Sequence, residues 1–363
     1  ARVVAKGFQQ RYGIDYVDTY AATAHPTAVR LMLALAAQNG WLTNSTDIRN
    51  AFITAPIGQQ DVYVQPPPGF ERDDGQVWLL QKSLYGLTTS SRAFNKLLVD
   101  KMKLFGFTPT TADECCWSYV DANGECLHVL TVVDDMIQVG SSRALLDRFL
   151  DFLRKHFEIT DDGEVNWFLG VAYNRDDATG NIHATQTAYV DRALEKFGFQ
   201  NDNEHDTAME TNFRVNEDDM KHVPSESDQH TYRSMIGTLM YLAVWTRPDI
   251  AQAVNLLARY VMNASKRLMK AARNVFRYLK QTRTWGITFF RQDPITDETA
   301  TTGLKVSLFK GHKRKDKLLA FSDASDADDP LKRRSTGGYL VTYNGSPVSW
   351  SSGLQRLTTL STC

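Results

Sequence analysis

Two adjacent carboxylates, Asp134 and Asp135, lie between residues 127–133 and 136–139, both rich in strand-forming side chains. Two such runs around a short polar pair read as a β-hairpin, here with an acidic turn. Like charges that close repel each other unless a cation lies between them. Far upstream, Asp47 stands near the end of another strand-like run, 42–48. A carboxylate at the end of one strand and a pair in the turn of a neighbouring hairpin form the donor set of a two-cation site. Mg²⁺ takes oxygen ligands and keeps much of its water, so a few aspartates and substrate phosphates complete its shell. Two such ions activate an attacking hydroxyl and stabilise the leaving oxygen of an in-line displacement at phosphorus. Aspartate is also common in turns and after strands, so spacing alone leaves two readings open, a solvated surface turn and a metal-binding turn.

The elements that must hold these residues are legible from periodicity. Apolar positions at helical spacing predict helices over 26–39, 91–105, 144–157 and 189–197, and Gly40 and Gly106 follow the first two. Strands are predicted at 42–48, 77–80 and in a second hairpin with arms 168–173 and 182–186, while Pro66-Pro67-Pro68-Gly69 is a loop. This order predicts an α/β layer, a mostly antiparallel sheet backed by helices. Residues 200–231 are acidic and poor in apolar positions, which predicts a mobile linker or extended tether at a domain boundary. A helical region follows, reset at Thr246-Arg247-Pro248-Asp249. In the helix predicted over 266–280, Leu268, Ala272, Val275 and Leu279 share one face, and Lys266, Lys270, Arg273, Arg277 and Lys280 the other. That basic stripe is either an ordinary solvated face or a track for phosphates. Residues 291–317 form an insert with a basic end, before a β-rich unit whose Asn344-Gly345 pair predicts a tight hairpin turn.

The chain has 363 residues, enough for one very large domain or two to three ordinary ones. Hydrophobic residues make up 42% and charged residues 23%, a folded composition, and the formal net charge of -1 confines any polyanion site to a local patch. The cysteines Cys115, Cys116, Cys126 and Cys363 show neither a C-x-x-C pair nor zinc-site spacing, which predicts reduced thiols in an intracellular protein. No apolar run reaches ~18 residues, so no membrane span is expected. The chain opens without methionine and is expected to be a piece of something longer.

The wording around the acidic residues is more specific than their spacing. Arg2-Val3-Val4-Ala5-Lys6-Gly7-Phe8, Thr46-Asp47-Ile48-Arg49-Asn50-Ala51-Phe52, Ser83-Leu84-Tyr85-Gly86-Leu87, Val133-Asp134-Asp135, Phe168-Leu169-Gly170, Gly237-Thr238-Leu239-Met240-Tyr241-Leu242 and Thr246-Arg247-Pro248-Asp249-Ile250 occur in that order. Over essentially its whole length the chain resembles the reverse transcriptase of Ty1/copia-type LTR retrotransposons. The resemblance implies a right-hand polymerase palm and fingers over 1–200, a linker and helical thumb or connection region over 201–290, and the insert with a truncated RNase H-like unit over 291–363. Asp47, Asp134 and Asp135 then resemble the catalytic, metal-binding carboxylates, with Mg²⁺ or Mn²⁺ as cofactor. Phe52 falls where such enzymes place an aromatic that excludes a 2′-hydroxyl, although a core phenylalanine is the plain alternative. Arg2 and Lys6 resemble residues that hold the nucleotide triphosphate. Lys270, Arg273 and Arg277 would run along the template–primer duplex. Asp323 resembles the first RNase H carboxylate, and one carboxylate cannot hold two metals, so no nuclease activity is expected from this fragment. Implied partners are an RNA template, a DNA primer, deoxynucleoside triphosphates and other polyprotein products. The implied location is a cytoplasmic virus-like particle for an active element, or the nucleus.

Three departures bear on activity. Val132 stands where the family usually has tyrosine, Thr89 where it has glutamine and Ser91 where it has proline. A short hydroxyl lacks the reach and the donor–acceptor pair of an amide. An inactive remnant that retains only nucleic-acid binding is therefore the second functional reading. Trp41, Trp78, Trp167 and Trp245 are expected to pack rather than to stack on bases.

Overall fold

The strand that contains Asp47, β1 (Leu42–Ile48), has aliphatic residues only at its two ends, yet it lies inside a sheet. The computed structural model describes residues 3–57, 61–70, 75–292, 318–325 and 334–356. Arg2 and the basic end of the insert, 310–317, lie outside them. Contacts divide the chain into two compact units, Ala1–Met32 with Trp41–Val165, and Leu33–Gly40 with Asn166–Cys363.

Helix α1 (Pro26–Asn39) leads into β1, and the short helix α2 (Ala51–Thr54) follows it. A small hairpin pairs β2 (Tyr63–Val64) with β3 (Trp78–Leu79), and helix α3 (Ser90–Phe105) ends at Gly106 in the left-handed conformation. Next come β4 (Thr108–Pro109), β5 (Cys116–Val120), β6 (Cys126–Val132), β7 (Asp135–Gly140), helix α4 (Arg143–His156) and β8 (Ile159–Gly163). The six-stranded sheet runs β4-β5-β6-β7-β1-β8, every pairing antiparallel. Ser142 caps α4, which is strongly amphipathic and buries Leu145, Leu146, Phe149, Leu150 and Leu153. These side chains join Ile48, Leu127, Val129 and Met136 of the sheet and Phe94, Leu98 and Met102 of α3 in one core. Each such burial is worth roughly 1.5–3 kcal/mol, so this face of the sheet is firmly backed.

The second unit has a four-stranded sheet, β12 (Gly286–Phe289), β11 (Ile182–Thr185), β10 (Val171–Arg175) and β9 (Trp167–Phe168), in that spatial order. Its helices are α5 (Thr187–Phe197), α6 (Glu217–Lys221), α7 (Glu226–Trp245), α8 (Ala251–Arg259) and α9 (Lys266–Gln281). Arg247, wholly buried in the reset between α7 and α8, grips Asp249 (2.6 Å) and the Thr282 hydroxyl (2.6 Å) beyond α9. Strands β13 (Leu318–Ala324), β14 (Thr336–Tyr343) and β15 (Ser346–Leu354) form an antiparallel sheet, with Asn344-Gly345 at positive φ in the predicted turn. Three strands alone bury little. Here the Trp350 indole donates to the Ala243 carbonyl (2.7 Å) and Asn344 to that of Phe290 (3.0 Å), tying the sheet to α7 and β12.

Residues 200–231 are not an extended tether. Phe199 and Val215 sit in the helical core, and Asn216 and Asp219 close a capping box on α6. Asp219 is 4% exposed and accepts from Ser265 (2.7 Å) and Arg267 (2.9 Å). Acidic side chains of this segment also cover part of the basic stripe of α9: Asp202 binds Arg277 (2.8 Å), and Glu210 lies 3.7 Å from Lys270. Few apolar residues were needed because opposite charges hold the segment. Trp78 and Trp167 depart from the expected packing as well, at 41% and 46% exposure.

Candidate active site

Antiparallel pairing sets Asp47 directly opposite Asp135 across β1 and β7. The hairpin turn is one residue earlier than the sequence predicts. Val133 and Asp134 form it, and Asp135 is the first residue of β7. Val133 has φ 58°, a left-handed conformation that strains a β-branched residue by about 1–3 kcal/mol. That shift puts Asp135 into the ladder, on the face away from its neighbour Met136, which packs on the helices. Ile48 N–H donates to the Asp134 carbonyl (2.9 Å), fastening the turn to the end of β1.

On its other side β1 pairs with β8, where Asp47 faces Thr160. The register jumps from Ser45–Gly163 to Thr46–Asp161, leaving Asp162 as the extra residue of a bulge. Asp162 brings a fourth negative charge to the site. Burial raises the Asp47 pKa, helped by Asp134 and Asp162 and opposed by Arg49. Burial likewise pushes Asp135 up to about 6, with Asp134, Asp47 and Asp162 adding to the effect. Arg49 itself is engaged with Thr160 (2.8 Å), the residue opposite Asp47, and with Glu158 (3.4 Å). Among the described residues none of Asp47, Asp134 and Asp135 is in a salt bridge.

Crowded carboxylates that raise one another's proton affinity are relieved by a divalent cation, and an all-oxygen donor set suits Mg²⁺ or Mn²⁺. Among the described residues no three histidine, cysteine or acidic side chains converge tightly enough to enclose an ion. A cation held here would therefore take much of its shell from water and phosphate, as Mg²⁺ commonly does.

Phe52, on α2 just after Asp47, is half-buried and packs edge-on against Tyr85 (4.9 Å) and Phe94 (6.3 Å). Lys6 is exposed beside a short 3-10 turn at residues 7–9. Its segment is held against Tyr85-Gly86: Ala5 N–H donates to the Tyr85 carbonyl (2.8 Å), and a Cβ on Gly7 would strike the Gly86 carbonyl. Thr89 precedes α3 without capping it through its side chain, and Thr88 donates twice to the Gln10 amide oxygen (2.9 and 2.8 Å). A small cleft lined by Ala21, Ala22, Ser91, Asn95, Thr131 and Val133 borders the strained turn.

The remaining predicted residues belong to the second unit. Lys270 and Arg277 have the acidic partners already described, and the Arg273 guanidinium lies over the Phe199 ring (5.8 Å). Asp323 is exposed on β13 opposite Gly338. Sequence reasoning missed Asp162 and Gln10. A second acidic pair just after a helix and an isoleucine was the available signal for Asp162, whereas nothing local marks Gln10.

Comparison with known proteins matches residues 1–211 to the family described as Reverse transcriptase (RNA-dependent DNA polymerase). The Retrovirus-related Pol polyprotein from transposon TNT 1-94 of Nicotiana tabacum is 30% identical over 100% of this chain and 26% of its own length. That from transposon RE1 of Arabidopsis thaliana is 30% identical over 98% of this chain and 22% of its own length. The Transposon Ty1-MR1 Gag-Pol polyprotein of Saccharomyces cerevisiae is 23% identical over 100% and 20%. The chain thus spans about a quarter or less of the length of these curated relatives. A solved foamy viral protease-reverse transcriptase in complex with double-stranded DNA is similar over 93% of this chain and 47% of its own, with a TM-score of 0.49 and 12% identity.

Proposed function

The chain belongs to the reverse transcriptase family, as a domain of a Ty1/copia-type LTR-retrotransposon polyprotein, and from that premise we propose that it is an RNA-directed DNA polymerase. The observation that supports this most is the β1–β7 register, which faces Asp47 with Asp135 beside the turn residue Asp134. These three carboxylates would hold Mg²⁺ or Mn²⁺, whose chemistry is to activate a primer 3′-hydroxyl and stabilise the departing pyrophosphate. Burial raises the proton affinity of Asp47 and Asp135, helped by their acidic neighbours, and a bound cation would offset that mutual repulsion. Phe52, wedged against Tyr85 and Phe94, is a rigid platform that would exclude a sugar bearing a 2′-hydroxyl. Lys6, with Arg2, would bind the triphosphate of the incoming nucleotide. In this reading residues 1–200 are palm and fingers, 201–290 thumb or connection, and 318–354 the start of an RNase H-like unit in which Asp323 stands as a vestigial carboxylate. Lys270, Arg273 and Arg277 would meet the template–primer duplex. Reversing all three tests that role, with weaker binding and a flatter salt dependence expected. Arg277 also holds Asp202, so Lys270→Glu with Arg273→Glu is the cleaner pair.

Template-primed extension with Mg²⁺ and deoxynucleoside triphosphates tests the proposal. Incorporation that Asp134→Asn abolishes supports it. Folded protein that binds template–primer without extending it favours the remnant, the reading to which Val132 and the short hydroxyl of Thr89 point.

A further inference from the structure

Behind the acidic face, β1 presents Asn44, Thr46 and Ile48 to the helices, and β7 presents Met136, Gln138 and Gly140, by the alternation of the ladder. Where apolar packing is expected, Asn44 and Thr46 are each 2% exposed and Gln138 is fully buried. They bond to one another. Asn44 Nδ2 donates to Gln138 Oε1 (3.2 Å), and Gln138 Nε2 donates to Thr46 Oγ1 (2.7 Å). Asn44 Nδ2 also reaches Asp161 Oδ1 on β8 (3.1 Å), and Asp161 Oδ2 accepts from Arg154 of α4 (2.9 Å). The chain therefore links β7, β1, β8 and the backing helix.

We propose that Asn44 and Gln138 are positioning residues whose buried hydrogen bonds select the strand register that sets Asp47 opposite Asp135. A hydrophobic pattern excludes a one-residue slip, because every side chain would change face. It does not exclude a two-residue slip, which keeps the faces. On β1 that pattern is at its weakest, since Ile48 is the one aliphatic side chain the strand turns to the helices. A slip of two residues would carry Asp47 opposite Ile137, about 7 Å from its place beside Asp135. It would also leave the buried Asn44 facing Gly140 and separated from Gln138, which costs about 1–3 kcal/mol per unsatisfied group. A buried polar pair thus discriminates between registers that apolar packing treats alike, the best-attested use of such groups. The inference rests on the polymerase reading only for its consequence; the register itself is measured without activity.

The test places one cysteine at Ser45 and a second at either Ile137 or Val139, then oxidises the protein and maps the disulfide by peptide mass spectrometry. Directly opposed strand positions meet disulfide geometry and diagonal ones do not. In the parent, the 45–137 pair closes and the 45–139 pair does not. With Asn44→Leu and Gln138→Leu together, neither amide is orphaned by loss of the other, but the Thr46 hydroxyl and Asp161 each lose a donor, so a folded protein of modestly lower Tm is expected. Both cysteine pairs should then close, and extension by the double variant without added cysteines should fall about 100-fold. The exchange Asn44→Gln with Gln138→Asn should restore the selectivity and most of the extension. Selective closure of 45–137 in the leucine background overturns the proposal, and so does unchanged extension. Asn44→Thr with Gln138→Val is a smaller second background should the leucines not fit. A parent that never extends primers, yet loses selectivity in the leucine background, sinks the polymerase reading and leaves the register assignment standing.

Discussion

Acidic residues serve opposite ends in the two units. Around the ends of β1 and β7, Asp47 lies opposite Asp135 with Asp134 and Asp162 adding negative charge, none of the first three is in a salt bridge among the described residues, and burial raises the pKa of Asp47 and Asp135. Along α9, Asp202, Glu210 and Asp219 each meet a lysine or arginine, and Asp219 adds a serine and a helix cap. The second arrangement stabilises the fold where apolar residues are scarce. The first does not stabilise it at all. Carboxylates held together against their own repulsion favour a proton or an external cation, which sets the proposed site apart from scaffolding.

The contrast can be broken most sharply at Asp47. Asp47→Asn should reduce primer extension by roughly 10³-fold or more, since a charge proposed to hold the metal is lost, while Asp202→Asn should leave extension within about twofold. On stability the order reverses. Asp219→Ala should cost about 2–4 kcal/mol in urea denaturation, because it removes half of a capping box and the partner of Arg267 and Ser265. Asp135→Asn should instead stabilise the metal-free protein at pH 7, by about 1–2 kcal/mol after allowance for solvent screening. The sign follows from linkage: with a folded pKa near 6 against 3.8, the folded state holds more protons than the unfolded across that window. Stability therefore falls as pH rises from about 4 to about 6, and the variant should lose that slope in thermal melts made in chelator. Saturating Mn²⁺ should offset the penalty in the parent and not in Asp135→Asn. The smallest effect belongs to Lys270→Ala, which should change stability by less than about 0.5 kcal/mol because its partner Glu210 lies 3.7 Å away and both are exposed. A large loss there would mean that the stripe holds the acidic segment more tightly than geometry implies.

Several elements were legible from local pattern. The predicted helix over 26–39 and strand over 42–48 coincide with α1 and β1, and Asn344-Gly345 makes the predicted turn. Side-chain periodicity and glycine conformational freedom act over a few residues, so they are readable there. Local pattern puts the acidic turn one residue late because a Val-Asp turn with a strained valine is not a local preference. Composition misleads over residues 200–231 because it registers missing apolar surface and not the arginines some 50 to 75 positions away that replace it. The exposed Trp78 and Trp167 show the same limit, since apolar neighbours in sequence need not cover a ring in space.

By itself the sequence determined the residue types capable of metal-assisted phosphoryl chemistry, the family to which they belong and most of the helices around them, because motif order and short-range periodicity are carried by neighbours along the chain. Only the tertiary structure decided that Asp47 faces Asp135, that Asp162 adds to their field, that Asn44 finds Gln138 and that the acidic segment closes on α9. Those facts are pairings between distant segments. Their free energies depend on burial and on the charge or hydrogen-bonding group opposite, which no stretch of chain specifies alone.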